Sequence, residues 1–508
     1  MFAKISSFGL SGLNGLKIDV EVDTNIGLPS YDIVGLPDAA VKESKERVRS
    51  AIKNSGFKFP TNKITVNLAP ANVKKAGANF DLPIAIAILV SSNQIQSSKY
   101  QEFVIVGELG LDGRIKSVNG ILPLLIAAKN AGYNKFIIPK ANAKESSYIE
   151  GIFVYALDSL VDVVSMLSGS VNFECEEQNI WNGGDDSNIS EDFSRVKGQK
   201  IAKRVMEIAV AGGHNILMVG PPGSGKTMIA RCVPSIMPKL TFDEALEVTK
   251  IHSIAGELDL AKGIIKTRPF RTPHHTASMV SLVGGGRDAK PGEVSLASNG
   301  VLFMDELPEY PRMVLETLRQ PLEDGIVTVS RASGTYEYPA NFMLIASMNP
   351  CPCGNYGSKT STCTCSAAQI QSYLKRLSGP LLDRIDLKID VDRVDFLDLS
   401  NKTLEESSVE IRKRVECARD IQTKRFEGTS IHTNSKMNSK MINEFCKLSE
   451  SSEVLVKMAF EKYKMSARGY TRILKVARTI ADLDGSKDIK ENHIAEALAY
   501  RNIDKFGI

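Results

Sequence analysis

A chain of 508 residues, 43% hydrophobic and 24% charged, has the make-up of a water-soluble globular protein, long enough for about three domains that each bury a core. Its formal net charge of +4 is too small to identify a nucleic-acid partner. The longest purely apolar run, near Ile84 to Val90, falls well short of the roughly 20 residues that cross a membrane, so no membrane partner is expected. No charged segment followed by an apolar one opens the chain, which makes the cytoplasm the expected location. In that reducing compartment the eight cysteines are expected as thiols or metal ligands and not as disulfides.

From Met1 to about Leu167 the sequence alternates strand-like runs, such as Leu16 to Val22, Lys63 to Leu68 and Phe103 to Val106, with helical ones. Asp38 to Asn54 reads as a helix that starts at an aspartate cap and ends near Gly56. The result is an α/β domain without a phosphate loop. The spacing of Gly77 to Ala87, of GELGLDGRIKSVNG after Val106, and of AAKNAGYNKFIIP after Ile126 resembles the proteolytic domain of the Lon family, whose catalytic pair is serine and lysine. Matching glycine to glycine puts Asn79 at the serine position, with Asp81 as the nearby alternative, and Leu122 at the lysine position. An amide facing a leucine cannot perform the chemistry of a hydroxyl beside an amine base. Residues 1–170 are therefore expected to form a Lon-protease-like domain (ribosomal S5 domain 2-like fold) without the dyad, structural or DNA-contacting.

Residues 171–194 read as an acidic linker. Glu174, Glu176, Glu177, Asp185, Asp186, Glu191 and Asp192 occur with no lysine or arginine before Ser194, beside the Gly183-Gly184 pair. The only tryptophan, Trp181, is expected to pack against one of the flanking domains.

Residues 195–392 carry the motor signals. Val196 to Ala211 is an amphipathic pattern expected to form a helix, and Gln199 stands where such ATPases place adenine-pocket residues. Asn215 to Val219 is a short buried strand, followed by GPPGSGKT from Gly220 to Thr227 and a helical continuation from Met228 to Cys232. Strand, glycine loop and helix in this order make a P-loop. The backbone N–H groups of Gly220, Pro221, Pro222, Gly223, Ser224 and Gly225, save the two prolines, are placed to face phosphate oxygens. Lys226 adds charge at the β/γ-phosphates and Thr227 a hydroxyl for Mg²⁺. About 78 residues later the strand-like Val301 to Met304 ends in Asp305 and Glu306, a Mg²⁺-associated acid and a candidate base for the attacking water. A third strand from Phe342 ends at Asn349, a candidate sensor of the γ-phosphate. Between them, His274 and His275 are expected as hydrogen-bonding loop residues and not ligands, and Gly284 to Gly286 with Arg287 as a flexible basic loop.

GPPGSGKT, RPFRTPHH, the triple glycine, PGEVSLASNGVLFMDELPE, LRQPLEDG and SMNPCPCG, in this order over essentially the whole length, resemble the magnesium-chelatase-like AAA+ ATPases of the ComM/YifB family. The resemblance implies a P-loop AAA+ core, a C-terminal all-α lid over residues 393–508, ATP and Mg²⁺ as ligands, and a hexameric DNA motor. That motor would drive branch migration in homologous recombination and natural transformation. It also implies that LLDRIDL from Leu381 delivers Arg384 as an arginine finger to the neighbouring subunit. SARGYTRILKVARTIADL from Ser466 resembles a sensor-2 helix carrying Arg468, with Arg472 as the alternative. Ile473, Ala477, Ile480 and Leu483 fall on one face of it.

Cys351, Cys353, Cys363 and Cys365, two CxC pairs within 15 residues, offer four thiolates to a structural Zn²⁺. Reduced free thiols and a redox disulfide pair are the alternatives. Cys232, Cys417 and Cys446 read as small apolar residues of helices, while Cys175 lies in the linker. The runs Leu404 to Phe426, Ser439 to Cys446, Glu453 to Lys464 and Asn492 to Arg501 are helical. Residues 401–508 hold 21 basic against 16 acidic residues, an excess that a solvated helical surface explains. The alternatives to the DNA motor are a chelatase-type motor subunit that drives metal insertion through a protein partner, and an ATP-dependent Lon-like protease, disfavoured by Asn79 and Leu122.

Overall fold

A computed structural model of the chain describes residues 1–184, 191–286, 289–331, 334–357, 361–394, 405–462 and 465–501. Two sheets organise it. The first has seven strands in the order Ser30–Val34, Lys63–Ala69, Asn14–Asn25, Phe2–Ser11, Val104–Ile105, Lys135–Pro139 and Phe153–Leu157. Phe2–Ser11 and Asn14–Asn25 form an antiparallel ribbon, registered from Phe2 opposite Asp23 to Ser11 opposite Asn14. Ile18, Val20 and Val22 alternate into the core, as the period of two along a strand requires.

Helix Asp81–Ser91 is apolar all round and buried on every side, which makes it the centre of this domain and not a surface helix. Its charged first residue, Asp81, is held by Arg47 through hydrogen bonds of 2.7 and 3.1 Å. Burial pushes the Asp81 carboxyl up to about 6, against the pull of Arg47. The helix expected from Asp38 runs over Ala39–Asn54, and the Asp38 carboxylate caps it by accepting from the Val41 N–H at 2.8 Å. Asn79 is buried and donates its amide to the Phe8 carbonyl at 3.1 Å, while Leu122 is wholly inside. Leu122 is committed to packing, and Asn79 is tied to the backbone of a neighbouring strand.

The second sheet is parallel throughout, with strands Phe270–Arg271, Val301–Met304, Met343–Met348, Ile216–Val219 and Leu387–Asp390 in that order. Every residue of Val301–Met304, Met343–Met348 and Ile216–Val219 is buried, as expected for a parallel sheet covered on both faces. Ile216–Val219 lies between two partners and opens directly into the glycine loop. Helix Lys200–Gly212 covers one face and shares a core with the C-terminal helices Ser408–Arg425, Ala467–Leu483 and Glu491–Ala499. The helix expected from Val196 starts four residues late because Gly198 and Gln199 both take positive φ, +60° and +52°, which helical geometry forbids.

In Ala467–Leu483 the residues Ile473, Ala477 and Ile480 are buried, with Leu483 packed against the same core. The remaining helical runs appear as Ser439–Phe445 and Glu450–Lys462; Lys464 and Leu404 lie outside the described residues. Cys232 and Cys446 are buried as expected, but Cys417 is exposed. It falls on the solvent face of Ser408–Arg425, whose buried stripe runs through Ile411, Val415, Ala418 and Gln422.

The linker is docked where it is described. Glu176 N–H donates to the Val154 carbonyl at 2.8 Å and Asn179 N–H to the Ser147 carbonyl at 2.9 Å. Trp181 meets Phe242 with ring centroids 5.7 Å apart and joins a cluster with Leu240, Ala245, Ile264 and Tyr148, so it touches both sides of the domain junction. Asp185 and Asp186 lie outside the described residues.

Candidate functional site

The glycine loop is shaped by what surrounds it. Gly220 sits so close to the next strand end that a Cβ there would stand 2.2 Å from the Val391 carbonyl oxygen, so no other residue fits. The loop ends as helix Lys226–Cys232 begins, which turns that helix's free N–H groups toward the cleft. Lys226 folds back and donates to the Gly220 and Pro221 carbonyls at 2.7 and 2.9 Å, with Asn349 Oδ1 at 3.4 Å. Burial lowers the pKa of its ammonium, and the carboxylates of Asp305 and Glu306 oppose that shift.

The Thr227 hydroxyl donates to Asp305 Oδ2 at 2.9 Å. Ser347 donates a short hydrogen bond to the other oxygen of the same carboxylate. Ser347 was not singled out from the sequence, yet the strand register contains it: Met304 pairs with Ala346, so the residues that follow, Asp305 and Ser347, are opposite. Glu306 has φ +52° and ψ +49°, a left-handed conformation costly for a side-chain-bearing residue. That turn leaves its side chain 54% exposed at the cleft, with Oε2 3.8 Å from His275 Nδ1. His274 Nδ1 is hydrogen-bonded to the Thr276 hydroxyl at 2.8 Å, in keeping with a loop role. Gln199 donates to the Asp392 carbonyl at 2.7 Å and the Ser224 carbonyl at 3.3 Å, bracing the loop backbone.

Pro222 to Met228, Asp305, Glu306 and Ser347 to Asn349 together line one open cleft of about 380 Å³. Its donors are a lysine, a hydroxyl and helix N–H groups; its acceptors are two carboxylates and an amide. This set suits a polyphosphate with a hard divalent cation, since Thr227 and Asp305 supply the oxygen ligands such ions take. A cavity of similar size, about 400 Å³, lies between the first sheet's domain and the second, lined by Asp38, Gly77, Asn79, Glu108, Asn119 and Lys290. The N-terminus of helix Ala39–Asn54, which lines it, is already capped by the Asp38 carboxylate.

Arg384 and Arg468 do not line the cleft. Arg384 is 9% exposed, donates to the Pro380 carbonyl at 2.7 Å and forms a short pair with Glu323 Oε2. Arg468 Nη2 lies 3.9 Å from Glu323 Oε1, so one carboxylate holds both arginines. The hydrogen bond from Arg384, helped by its charge and that of Arg468, outweighs burial and holds Glu323 below the usual carboxylate range. Arg472 is committed elsewhere, 3.3 Å from Asp386, whose other oxygen lies 3.5 Å from His214 Nδ1. Burial raises Asp386, but these partners outweigh it and hold its pKa at about 2.

The four cysteines of the loop after Asn349 converge. Cys351 and Cys353 sulfurs are 3.4 Å apart, Cys353 and Cys363 3.6 Å, Cys351 and Cys363 3.7 Å, and all four lie within 4.8 Å of one another. A tetrahedral zinc–thiolate centre with bonds of about 2.3 Å has sulfur–sulfur edges of about 3.8 Å, so the group fits Zn²⁺. The Tyr356 N–H also donates to Cys351 Sγ at 3.3 Å. His274 and His275 belong to no such cluster among the described residues. Gly284–Gly285 pairs with Lys290–Pro291 as a short hairpin; Arg287 lies outside the described residues.

Three family models match the chain: magnesium chelatase subunit ChlI over residues 192–399, subunit ChlI of Mg-chelatase over residues 20–142, and the ChlI C-terminal part over residues 405–501. Competence protein ComM of Haemophilus influenzae is 44% identical over 497 residues, covering 96% of this chain and 95% of its own length. YifB of Escherichia coli is 42% identical over 495 residues, 97% of this chain and 96% of its own. A Lon protease of Salinispora arenicola is 25% identical over 175 residues, 32% of this chain and 22% of its own.

Proposed function

The chain belongs to the ComM/YifB family of magnesium-chelatase-like AAA+ proteins, and on that premise we propose that it is an ATP-hydrolysing motor that assembles as a homohexameric ring and drives branch migration of DNA recombination intermediates. The observation that carries the reading is the division of the catalytic set. Lys226, Thr227, Asp305, Glu306 and Asn349 share one cleft, whereas Arg384 and Arg468 meet on Glu323 outside it. A cleft with no arginine among its described lining residues has the form of a half-site completed by a neighbouring subunit.

The roles follow from position. The loop N–H groups and Lys226 hold the β- and γ-phosphates. Thr227 and Asp305 would hold Mg²⁺, which when bound would offset charge on the phosphate oxygens. Ser347 and Thr227 each donate to one oxygen of the Asp305 carboxylate and so fix its orientation at the cleft. Glu306 takes the proton of the attacking water in line with the γ-phosphate, and Asn349 contacts the same phosphate or the water. Arg384 from the next subunit offsets charge developing in the transition state, and Arg468 senses the γ-phosphate. Cys351, Cys353, Cys363 and Cys365 would hold Zn²⁺, which when bound would supply a structural cross-link and no catalytic step.

We further propose that residues 1–170 form the Lon-like domain, 171–194 the linker, 195–392 the core and 393–508 the lid, with the protein acting in the cytoplasm. The family models carry the description of a chelatase subunit, and a motor that drives metal insertion would use the same cleft. The fused Lon-like domain and the cysteine cluster favour the DNA reading. Movement of a fluorescent four-way junction by the purified protein tests it: ATP-dependent strand exchange, lost in Glu306→Gln, supports a DNA motor. No movement together with DNA-insensitive hydrolysis assigns the motor to another load.

A further inference from the structure

We infer that the four-cysteine loop is a brace for the P-loop, so that Zn²⁺ on its thiolates sets the affinity of the cleft for nucleotide. The inference rests on the nucleotide-site reading above and adds a determinant to it.

The two loops touch along the length of GPPGSGKT. At its start, the Gly220 N–H donates to the Met348 carbonyl at 3.1 Å, the last residue of the strand that feeds the cysteine loop. At its end, Lys226 reaches Asn349 Oδ1 at 3.4 Å. Between them Gly354, the residue after Cys353, lies flat against Pro222. It has φ +79°, and a Cβ built on it would stand 2.5 Å from Pro222 Cδ. The turn that presents Gly354 is closed by its own N–H donating to the Cys351 carbonyl at 2.9 Å, and Cys351 is fully buried. On the return path the chain caps helix Ala367–Leu374 with Ser366. Tyr373 of that helix is buried. Asn349 is held from the P-loop side by Lys226, at the point where the chain enters the thiolate cluster.

Among its described residues the loop 350–365 contains no helix or strand, and apart from Pro350 and Cys351 it buries little apolar surface. Ordering such a segment opposes its entropy at every residue. Four sulfurs at tetrahedral spacing supply the missing cross-link when they share one cation, because metal binding then contributes directly to local folding. Remove the cation and the turn at Gly354 is free to move. Pro222 then loses its backing, and the N–H groups of the phosphate cradle lose their fixed directions.

The test uses the full-length protein, with zinc content from native mass measurement and affinity from titration with a fluorescent ATP analogue. Three variants are compared: Cys363→Ser with Cys365→Ser, Gly354→Ala, and Lys226→Ala. The cysteine variant is expected to lose its zinc and to bind the analogue about ten-fold or more weakly, since small misplacements of binding groups carry costs of that order. Gly354→Ala keeps all four thiolates and one zinc per chain, yet it is expected to weaken binding as well, because its methyl displaces Pro222. This second variant reports on the brace even if the first fails to fold. Wild-type affinity in a zinc-free cysteine variant, wild-type affinity in Gly354→Ala, or wild-type protein without zinc would each overturn the inference. If instead Lys226→Ala binds the analogue as well as wild type does, the nucleotide-site reading itself is wrong.

Discussion

Replacing Arg384 by alanine separates a residue that serves its own cleft from one that serves a neighbour's. Within one chain Arg384 is paired with Glu323, which is 53% exposed. Arg384 itself is buried and also donates to the Pro380 carbonyl, so its removal is expected to cost the folded chain on the order of 1–3 kcal/mol. Arg384 does not line its own cleft, so Arg384→Ala is expected to bind ATP normally. Hydrolysis is expected to fall about 10³- to 10⁵-fold, the range over which arginine fingers act, or about 4–7 kcal/mol of barrier. Lys226→Ala alone is expected to be equally inactive for the opposite reason. Co-expressing the two under separate tags and purifying doubly tagged rings makes mixed assemblies. A working interface then needs an intact Lys226 from one subunit and an intact Arg384 from the next. With random equal mixing that happens at about one interface in four, so mixed rings are expected to recover about a quarter of wild-type turnover. Turnover at the floor in doubly tagged rings, or near-wild-type turnover of Arg384→Ala alone, would refute the trans assignment.

Glu306→Gln is expected to retain ATP binding while turnover falls about 10²- to 10⁴-fold, measurable as trapped nucleotide against phosphate release. Asp482 is buried and accepts from Arg425 at 2.7 and 2.5 Å, Asn434 at 2.8 Å and Arg478 at 3.1 Å. Asp482→Ala leaves two guanidinium groups without their carboxylate and is expected to cost about 3–5 kcal/mol, read as a lower denaturation midpoint of the helical region. Glu145 is buried at the domain junction, where Ser253 donates to it at 2.9 Å and Asn142 at 2.5 Å. Burial raises its pKa to about 7 against those hydrogen bonds. Its folded pKa exceeds the unfolded value of 4.5, so its contribution is fully present below that value and lost as pH rises through about 7. Thermal melts at about pH 6 and about pH 8 should therefore differ more in wild type than in Glu145→Gln.

What the sequence reveals is what is local. The P-loop is eight consecutive residues whose glycines and lysine are fixed by chain geometry, and Asp305 follows a strand that reads as buried without knowledge of its neighbours. The partners of these groups are not local. Ser347 meets Asp305 only through the register of two strands 42 residues apart. Glu323 lies inside a quoted motif, but its hold on Arg384 and Arg468 joins three separate segments. His275 reaches Glu306 because Glu306 adopts a left-handed turn that no propensity favours for glutamate. Cys417 was misread for a simpler reason: one residue in a helical pattern does not say which face it occupies, and its neighbours Val415 and Ala418 take the buried stripe.

The central claim is that hydrolysis in this cleft moves DNA. Strand exchange on a fluorescent four-way junction measures it most directly, with the purified wild-type chain, ATP and Mg²⁺, and Glu306→Gln as control. The account predicts ATP-dependent conversion of the junction to duplex products by wild type and none by the variant. An intact junction under conditions where wild type hydrolyses ATP, at a rate that DNA does not change, would contradict it.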